Sequence, residues 1–141
     1  MALFLDTSAL VKLFVREPGS EKVERLTGRD PQIHVGPFAH HEFVSAVKRR
    51  TREGSLTPAG AAKALAEFRE DLNESFLVVQ FSQELSRRAL LLLEGRGGEG
   101  LRTLDAFQLS ACLGVPGAVF LLADRTLAKI AHREGVKTIL C

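Results

Sequence analysis

Residues 2–10, Ala2-Leu3-Phe4-Leu5-Asp6-Thr7-Ser8-Ala9-Leu10, give the clearest indication of the fold. Four apolar residues lead to a carboxylate, and two hydroxyl residues and a helical pattern follow it. An apolar run of this kind predicts a buried parallel strand that ends at Asp6. Thr7 or Ser8 is then expected to cap the helix that follows.

Asp6 is the first residue of this stretch that needs a functional explanation. In open parallel α/β sheets the functional crevice lies beyond the carboxyl ends of the strands, so Asp6 is expected to face a site. The alternative is that Asp6 only caps a helix, which is a common use of Asp between a strand and a helix. The stretch alone leaves both interpretations open.

Length and composition predict one folded domain that covers residues 1–141. Of the 141 residues, 45% are hydrophobic and 26% are charged, which is enough apolar content for a compact core. No signal peptide or membrane-spanning run is recognisable, so we expect a soluble cytoplasmic protein. The two cysteines, Cys112 and Cys141, have neither a metal-binding spacing nor a disulfide framework. The net charge of +2 does not by itself indicate a polyanionic partner.

Strands and helices are predicted to alternate along nearly the whole chain. After the first strand, further strands are expected at 32–36, 76–81, 118–123 and 136–140, with helices between them. This alternation predicts an α/β fold, a doubly wound parallel sheet of about five strands with helices on both faces. Residues 56–72 add a helical insertion. The dipeptide Pro18-Gly19 is expected to end the first helix, and helix caps are predicted at Ser20, Thr57, Ser82 and Thr103.

Three further acids are predicted to lie near Asp6. Asp124 follows the predicted strand at 118–123, as Asp6 follows the first strand. Glu42 and Asp105 fall in the first turns of helices that begin at the same edge of the sheet. Two carboxylates ~5 Å apart repel by about 3 kcal/mol at an effective dielectric of ~20, so without a counter-charge some of the four must be protonated or the site must stay loose. A hard divalent cation with oxygen ligands, Mg²⁺ or Mn²⁺, would supply it.

The sequence resembles the PIN-domain nucleases, and most closely their small VapC-type toxins. The resemblance runs along the chain through Leu5 to Lys12, Glu42 with Ala46, Leu104 to Ala111 and Leu122 to Leu127. It implies a PIN-like fold and a metal-dependent endoribonuclease, the toxin of a type II toxin-antitoxin pair. It also implies RNA as the substrate, a cognate antitoxin as the inhibitor, and a homodimer.

By the same resemblance, Asp6, Glu42, Asp105 and Asp124 are the catalytic and metal-binding acids. Asp6, Asp105 and Asp124 would bind Mg²⁺ or Mn²⁺ directly or through water, and Glu42 would hold a second ion or a water.

The sequence departs from the family pattern near the fourth acid. Ala123 stands where a threonine is usual, and Arg125 and Thr126 stand where a further acid often follows. Whether one metal ion or two bind therefore stays open.

Two other motifs invite functional interpretations. Gly95 to Gly100 matches G-x-G-x-x-G, but it follows a helix and not the first strand, so it is interpreted as a flexible loop and not as a dinucleotide site. His40 and His41 adjoin Glu42, yet neighbouring helical residues point about 100° apart. Both histidines are therefore interpreted as hydrogen-bonding or surface residues.

Basic residues supply candidate contacts to RNA phosphates, although most basic runs are simply solvated helix faces. The candidates are Lys48, Arg49, Arg50 and Arg52 in one run, and Lys12, Arg16, Arg102, Arg125 and Lys129 nearer the acids in sequence. The chain has no Trp or Tyr, so base stacking would fall to phenylalanines, most of which the core is expected to use.

Two alternatives to the nuclease stay in view. The first is a catalytically silent PIN-like binding module that keeps the acidic pocket. The second is a receiver-like signalling domain, which also places an Asp at a strand end. A receiver would need a lysine at a late strand end, where this chain has Asp124.

Overall fold

A parallel five-stranded sheet forms the middle of the computed structural model, which describes residues 1–141. The strands are β1 (Ala2–Leu5), β2 (Gln32–Val35), β3 (Leu77–Val78), β4 (Val119–Leu122) and β5 (Thr138–Leu140). Their order across the sheet is β3-β2-β1-β4-β5, and every neighbouring pair is parallel. The predicted parallel sheet is confirmed.

Helices cover both faces of this sheet, as predicted. They are α1 (Thr7–Phe14), α2 (Ser20–Thr27), α3 (Ala39–Arg52), α4 (Pro58–Glu74), α5 (Gln83–Arg96), α6 (Thr103–Leu113) and α7 (Arg125–Arg133), with a short 3₁₀ helix at Gly97–Glu99. Helices α1 to α4 contribute to one hydrophobic cluster, and α5 to α7 contribute to another on the opposite face. None of the helices is long and apolar enough to cross a membrane.

Side chains alternate between the two faces along β1. Leu3 and Leu5 belong to the cluster on the α1 side, and Phe4 belongs to the cluster on the α6 side. All three are completely buried, and burial of each such side chain contributes about 1.5–3 kcal/mol. Phe4 also meets Phe120 of β4 edge to face, with ring centroids 5.5 Å apart. The central strand is therefore held from both sides, which fixes the position of Asp6 at its end.

The direction of winding changes between β1 and β4. Strands β2 and β3 lie on one side of β1, and β4 and β5 lie on the other. The loops after β1 and β4 thus diverge and leave a crevice at the carboxyl edge of the sheet. This order also excludes the receiver-like alternative, because receiver domains follow the flavodoxin-like order 2-1-3-4-5.

The largest errors in the predicted element boundaries concern one strand and one helix, and the other strands differ from prediction by at most two residues at an end. The strand expected at 76–81 is reduced to Leu77 and Val78, because this edge strand pairs only with His34 and Val35 of β2. The first helix ends at Phe14, before the predicted stop at Pro18-Gly19, because the backbone is already extended at the next residue.

Two of the predicted helix caps are confirmed. The Thr57 hydroxyl oxygen accepts a hydrogen bond from the Gly60 amide at 3.0 Å, with Pro58 in the first turn of α4. The Ser82 hydroxyl oxygen accepts one from the Leu85 amide at 3.1 Å. Both are short-range contacts that follow from the local sequence.

The caps predicted at Ser20 and Thr103 are wrong by one residue. Ser20 is the first helical residue of α2, and its buried hydroxyl donates to the Val15 carbonyl and accepts from the Glu17 amide. Thr103 is likewise the first residue of α6, and Arg102 precedes it at the cap position.

The glycine-rich segment is more ordered than predicted. Gly95 lies within α5, and the 3₁₀ helix follows directly. Arg96 donates to Glu134 at 2.9 Å and to Glu99 at 3.1 Å, and Glu99 also pairs with Arg133 of α7. These ion pairs tie the segment to α7, so it is not a flexible loop, and it does not line the cavity described next.

Candidate active site

A cavity of about 950 Å³ lies at the carboxyl edge of the sheet, where the winding changes direction. Asp6, Glu42, Asp105 and Asp124 all line it. We call it the acidic cavity. The structure thus brings together four carboxylates that lie far apart in sequence, as the strand-end argument predicted. Its other polar lining residues are Thr7, Ser8, His41, Ser45, Arg49, Arg50, Arg102 and Thr103.

Asp6 is the most buried of the four acids, with 8% of its surface exposed. It occupies the cap position of α1 but forms no complete capping hydrogen bond, although the amides of Thr7 and Ser8 lie near enough to favour its ionised form. Burial raises the pKa of Asp6 to about 6, the Ser8 hydroxyl opposes this by donating to Oδ2 at 2.7 Å, and the charge of Glu42 adds to the rise. Asp6 is therefore a buried carboxyl whose negative charge lacks a compensating cation.

Glu42 lies in the first turn of α3 and is held by two polar neighbours. The Thr7 hydroxyl donates to its Oε2 at 2.7 Å, and the Gln108 amide donates to Oε2 at 3.3 Å and to Oε1 at 3.4 Å. Burial raises the pKa of Glu42, these hydrogen bonds oppose the rise, and the charge of Asp105 adds to it. The electrostatic effects of Glu42 on Asp6 and of Asp105 on Glu42 mean that these charges interact across the cavity.

Asp105 and Asp124 are more open, and both stabilise helix starts. Asp105 Oδ2 accepts a hydrogen bond from the Arg102 amide at 3.2 Å, and Asp124 Oδ1 accepts one from the Leu127 amide at 3.0 Å. The Arg102 guanidinium lies near both, with Nε 3.4 Å from Asp105 Oδ2 and Nη2 3.9 Å from Asp124 Oδ2. The capping role first considered for Asp6 is thus found at these two acids instead.

Thr7 and Ser8 do not cap α1, which corrects the sequence prediction. Both hydroxyls donate to carboxylates of the acidic cavity, Thr7 to Glu42 and Ser8 to Asp6. Ser8 also accepts a hydrogen bond from the Ala123 amide at 2.9 Å. A serine hydroxyl therefore lies against the backbone of Ala123, the residue just before Asp124.

The four carboxylates have the donor chemistry that Mg²⁺ or Mn²⁺ requires, because both ions prefer hard oxygen ligands. Burial raises the pKa values of Asp6 and Glu42, and the salt bridges of Arg102 go to Asp105 and Asp124 and not to these two acids. As the side chains stand, no three His, Cys, Asp or Glu residues are close enough to enclose an ion. Asp105 and Asp124 are instead hydrogen-bonded to helix amides and paired with Arg102, so an ion would compete with these contacts.

Few of the candidate bases reach the acidic cavity. Arg49, Arg50 and Arg102 line it, whereas Lys48, Arg52, Arg125 and Lys129 do not. Arg50 is paired with Glu17 at 3.1 Å, and so is Lys12 at 3.4 Å. Arg16 pairs with Glu21 and Glu24 on the surface. Arg49 and Arg102 are thus the exposed arginines available to a substrate at this cavity.

The two histidines take different directions, as their helical spacing predicted. His40 accepts a hydrogen bond from Arg69 of α4 at 3.1 Å and does not line the cavity, whereas His41 is exposed and does.

Most phenylalanines are used by the core, as expected, but not all of them. Phe38 lines the acidic cavity and packs against Phe107 and Phe81, with ring centroids 5.4 and 5.9 Å away. Phe81 is 53% exposed. An aromatic surface that a base could contact therefore lies beside the carboxylates.

A second acidic cavity, of about 560 Å³, lies at the opposite edge of the sheet. We call it the opposite cavity, and its acids are Glu24, Glu67, Glu70 and Asp71. Its lining includes Gly28 and Phe76, which precede β2 and β3. The functional crevice of a parallel sheet lies at the carboxyl edge, so these acids are not expected to take part in the chemistry.

Comparison with known proteins identifies the family. The family model of the PIN domain matches residues 3–136. The chain belongs to the PIN-domain family. This PIN domain is 27% identical to Ribonuclease VapC3 of Pyrobaculum aerophilum, over 92% of the chain and 94% of that protein. It is 28% identical to VapC ribonuclease R02377 of Rhizobium meliloti, over 96% of the chain and 90% of that protein.

Solved structures agree with this PIN fold. The crystal structure of VapBC2 from Rickettsia felis bound to a DNA fragment from their promoter matches with a TM-score of 0.70 at 15% identity. The match covers 99% of this PIN domain and 98% of that chain. At this identity the likeness concerns the fold alone.

Proposed function

We propose that this protein is a metal-dependent endoribonuclease that hydrolyses RNA phosphodiester bonds and acts as the toxin of a toxin-antitoxin pair. The observation that carries the proposal is the meeting of Asp6, Glu42, Asp105 and Asp124 in one cavity at the switch of winding direction. Membership of the PIN-domain family and similarity to two relatives named as ribonucleases support it.

The four acids have two different proposed roles in metal binding. Asp6, Asp105 and Asp124 are proposed to bind Mg²⁺ or Mn²⁺ directly or through water, and Glu42 to hold a second ion or a water. A bound divalent cation would activate the attacking water and stabilise charge on the phosphate. In the hydrolysis, the water oxygen bonds to phosphorus, the P–O bond to the leaving ribose breaks, and the released ribose oxygen takes up a proton.

The remaining polar residues of the cavity orient these acids and attract the substrate. The hydroxyls of Ser8 and Thr7 restrict the rotation of the Asp6 and Glu42 carboxylates through bonds of 2.7 Å. Arg49 and Arg102 bring positive charge to the rim, where it would contact phosphates of the RNA strand.

We also propose a cognate antitoxin and a homodimer. The antitoxin is supported by the similarity to two VapC ribonucleases and by the fold shared with VapBC2 of Rickettsia felis. Light scattering tests the homodimer, which should have twice the chain mass of 15.4 kDa. A single-chain mass at high protein concentration would contradict it.

Cleavage of an end-labelled single-stranded RNA tests the enzyme proposal. The wild-type protein should cleave with Mg²⁺ or Mn²⁺ and stop when EDTA is added, and Asp6→Asn should be inactive. Asp71→Asn removes an acid of the opposite cavity and should cleave like the wild type. RNA binding without any cleavage would support the silent binding module instead.

A further inference from the structure

Gln108 is a buried polar residue that the sequence interpretation missed, and it contacts two residues of the acidic cavity, Thr7 and Glu42. It lies on α6, three residues after Asp105, and only 4% of its surface is exposed. Residues three apart lie on the same side of a helix, so this spacing is a signal that the sequence offers. A buried amide lowers stability unless its hydrogen bonds are made, so its partners indicate its role.

The Gln108 amide nitrogen closes a triangle with Thr7 and Glu42. Its Nε2 donates to Thr7 Oγ1 at 3.2 Å and reaches both carboxylate oxygens of Glu42, at 3.3 and 3.4 Å. The Thr7 hydroxyl in turn donates a hydrogen bond to Glu42 Oε2 at 2.7 Å. Because the three side chains come from α6, α1 and α3, the triangle links three helices at one carboxylate.

The other end of the Gln108 amide carries no hydrogen bond. Its Oε1 is buried without a partner, and it lies where a Cβ on Gly36 would approach to 2.7 Å. Turning the amide over would place Oε1 against the Glu42 carboxylate, where two acceptors would repel each other. An apolar side chain of similar size would avoid the unpaired oxygen. We therefore attribute the presence of an amide at this position to the hydrogen bonds that its N–H groups donate.

We propose that Gln108 is a positioning residue for Glu42, which with Thr7 fixes the rotation of that carboxylate toward the acidic cavity, and that Gly36 provides the space it needs. The inference rests on the proposed function, in which Glu42 holds an ion or a water. Gln108 itself does not contact the substrate. Its removal should therefore lower kcat and divalent-ion affinity while KM for RNA changes less than about twofold.

The first test is a double-mutant cycle between Gln108→Leu and Glu42→Gln. Loss of an orienting partner commonly reduces metal affinity or activity about 10- to 100-fold, and we expect Gln108→Leu to fall in this range in the wild-type background. With Glu42→Gln already present, the same change should alter Mn²⁺ affinity less than about twofold, because the carboxylate that it positions is gone. Equal losses in both backgrounds would overturn the proposal.

Two further variants separate positioning from general stability. Ser110→Ala removes another buried polar group of α6, one that bonds Leu85 and Arg88 on α5, so it should lower the melting temperature without changing kcat. Gly36→Ala displaces Gln108 without altering its chemistry and should reproduce the kcat loss, which also covers the case in which Gln108→Leu fails to fold. A Gly36→Ala protein with wild-type kcat and Mn²⁺ affinity would contradict the inference.

The side-chain amide signal of Gln108 in ¹⁵N NMR gives a readout that needs no activity. In metal-free protein, Glu42→Gln should shift this signal, whereas Asp71→Asn at the opposite cavity should leave it in place. A wild-type protein that neither binds Mn²⁺ nor cleaves RNA would contradict the proposed function. The NMR experiment would still test whether Gln108 contacts Glu42. A Gln108 signal unchanged by Glu42→Gln would overturn the positioning role.

Discussion

The side-chain oxygen of Ser8 accepts a hydrogen bond from the backbone amide of Ala123 at 2.9 Å. This bond joins the ends of β1 and β4, the two strands between which the winding changes direction. The same hydroxyl donates to Asp6 at 2.7 Å. One small side chain therefore connects the most buried acid of the cavity to the residue that precedes Asp124.

Ser8→Ala should weaken both the fold and the reaction. It leaves the Ala123 amide without its acceptor and removes a donor from the Asp6 carboxylate, so we expect a loss of about 1–3 kcal/mol in the free energy of unfolding. Urea unfolding measures this loss. Ser86→Ala on α5 is the matched control and should unfold like the wild type. Wild-type stability and cleavage in Ser8→Ala would contradict the bridging role.

Asp6→Asn should gain stability over the wild type as pH rises in metal-free buffer. Burial raises the pKa of Asp6 from its ordinary value of 3.8 to about 6 in the folded protein. The folded state therefore binds more protons than the unfolded state between these values, and the wild type loses stability as pH rises through this window. Above pH ~7 the free energy of unfolding of Asp6→Asn should exceed that of the wild type by up to about 3 kcal/mol, since each pKa unit corresponds to about 1.4 kcal/mol.

Unfolding of the two proteins in EDTA at pH values from about 4 to 7.5 measures this difference. Glu53→Gln, an exposed acid outside the cavity, should show no such trend against the wild type. An Asp6→Asn advantage that stayed constant with pH would mean that Asp6 is not a destabilised buried charge.

Arg102→Gln should have opposite effects on ion binding and RNA binding. The Arg102 side chain is 79% exposed and approaches both Asp105 and Asp124, so it competes with a divalent ion for them. An exposed ion pair contributes ~0.2–1 kcal/mol, so removal of the Arg102 guanidinium should raise Mn²⁺ affinity by a factor of about 1.4 to 5. RNA affinity should fall, because a cation leaves the rim.

Calorimetry with Mn²⁺ and filter binding with RNA in EDTA separate the two effects of Arg102→Gln. Arg87→Gln, an exposed arginine on α5, is the control and should change neither quantity. Weaker Mn²⁺ binding by Arg102→Gln would show that the guanidinium supports the acids and does not compete at them.

Arg49→Gln should reduce the salt dependence of RNA binding. Arg49 is exposed and lines the acidic cavity, so it is placed to contact one phosphate. Each such contact to single-stranded RNA contributes about 0.7 to the slope of log affinity against log salt. Arg52→Gln, exposed on the same helix but outside the cavity, should leave the slope unchanged. Equal slopes for Arg49→Gln and the wild type would remove this residue from the RNA path.

The sheet and the meeting of the acids could be predicted because both follow from local pattern and topology. Apolar runs that end at Asp6 and Asp124 mark neighbouring parallel strands, and the carboxyl edge of such a sheet gathers whatever follows them. Thr57 and Ser82 could be predicted as caps for a related reason, since their partners lie three residues ahead.

The side-chain hydrogen bonds and ion pairs between residues far apart in sequence could not be predicted. Thr7 has the local features of a cap, yet its partners are Glu42 and Gln108, which lie 35 and 101 residues further along the chain. The packing of three helices determines which partners Thr7 has. The residues next to Thr7 in the sequence carry no information about that packing. Arg102 likewise could be named as a base near the acids, but its place between Asp105 and Asp124 depends on how α6 and α7 begin.

The central claim, that four remote acids form one divalent-ion site, is tested most directly by adding Mn²⁺ to ¹⁵N-labelled metal-free protein. Bound Mn²⁺ broadens the NMR signals of nearby amides. We expect the amides of Asp6, Glu42, Asp105 and Asp124 to broaden together at substoichiometric Mn²⁺, and this response to be lost in Asp6→Asn. Sharp signals at these four residues, with broadening around Asp71 or scattered over the surface, would contradict the account.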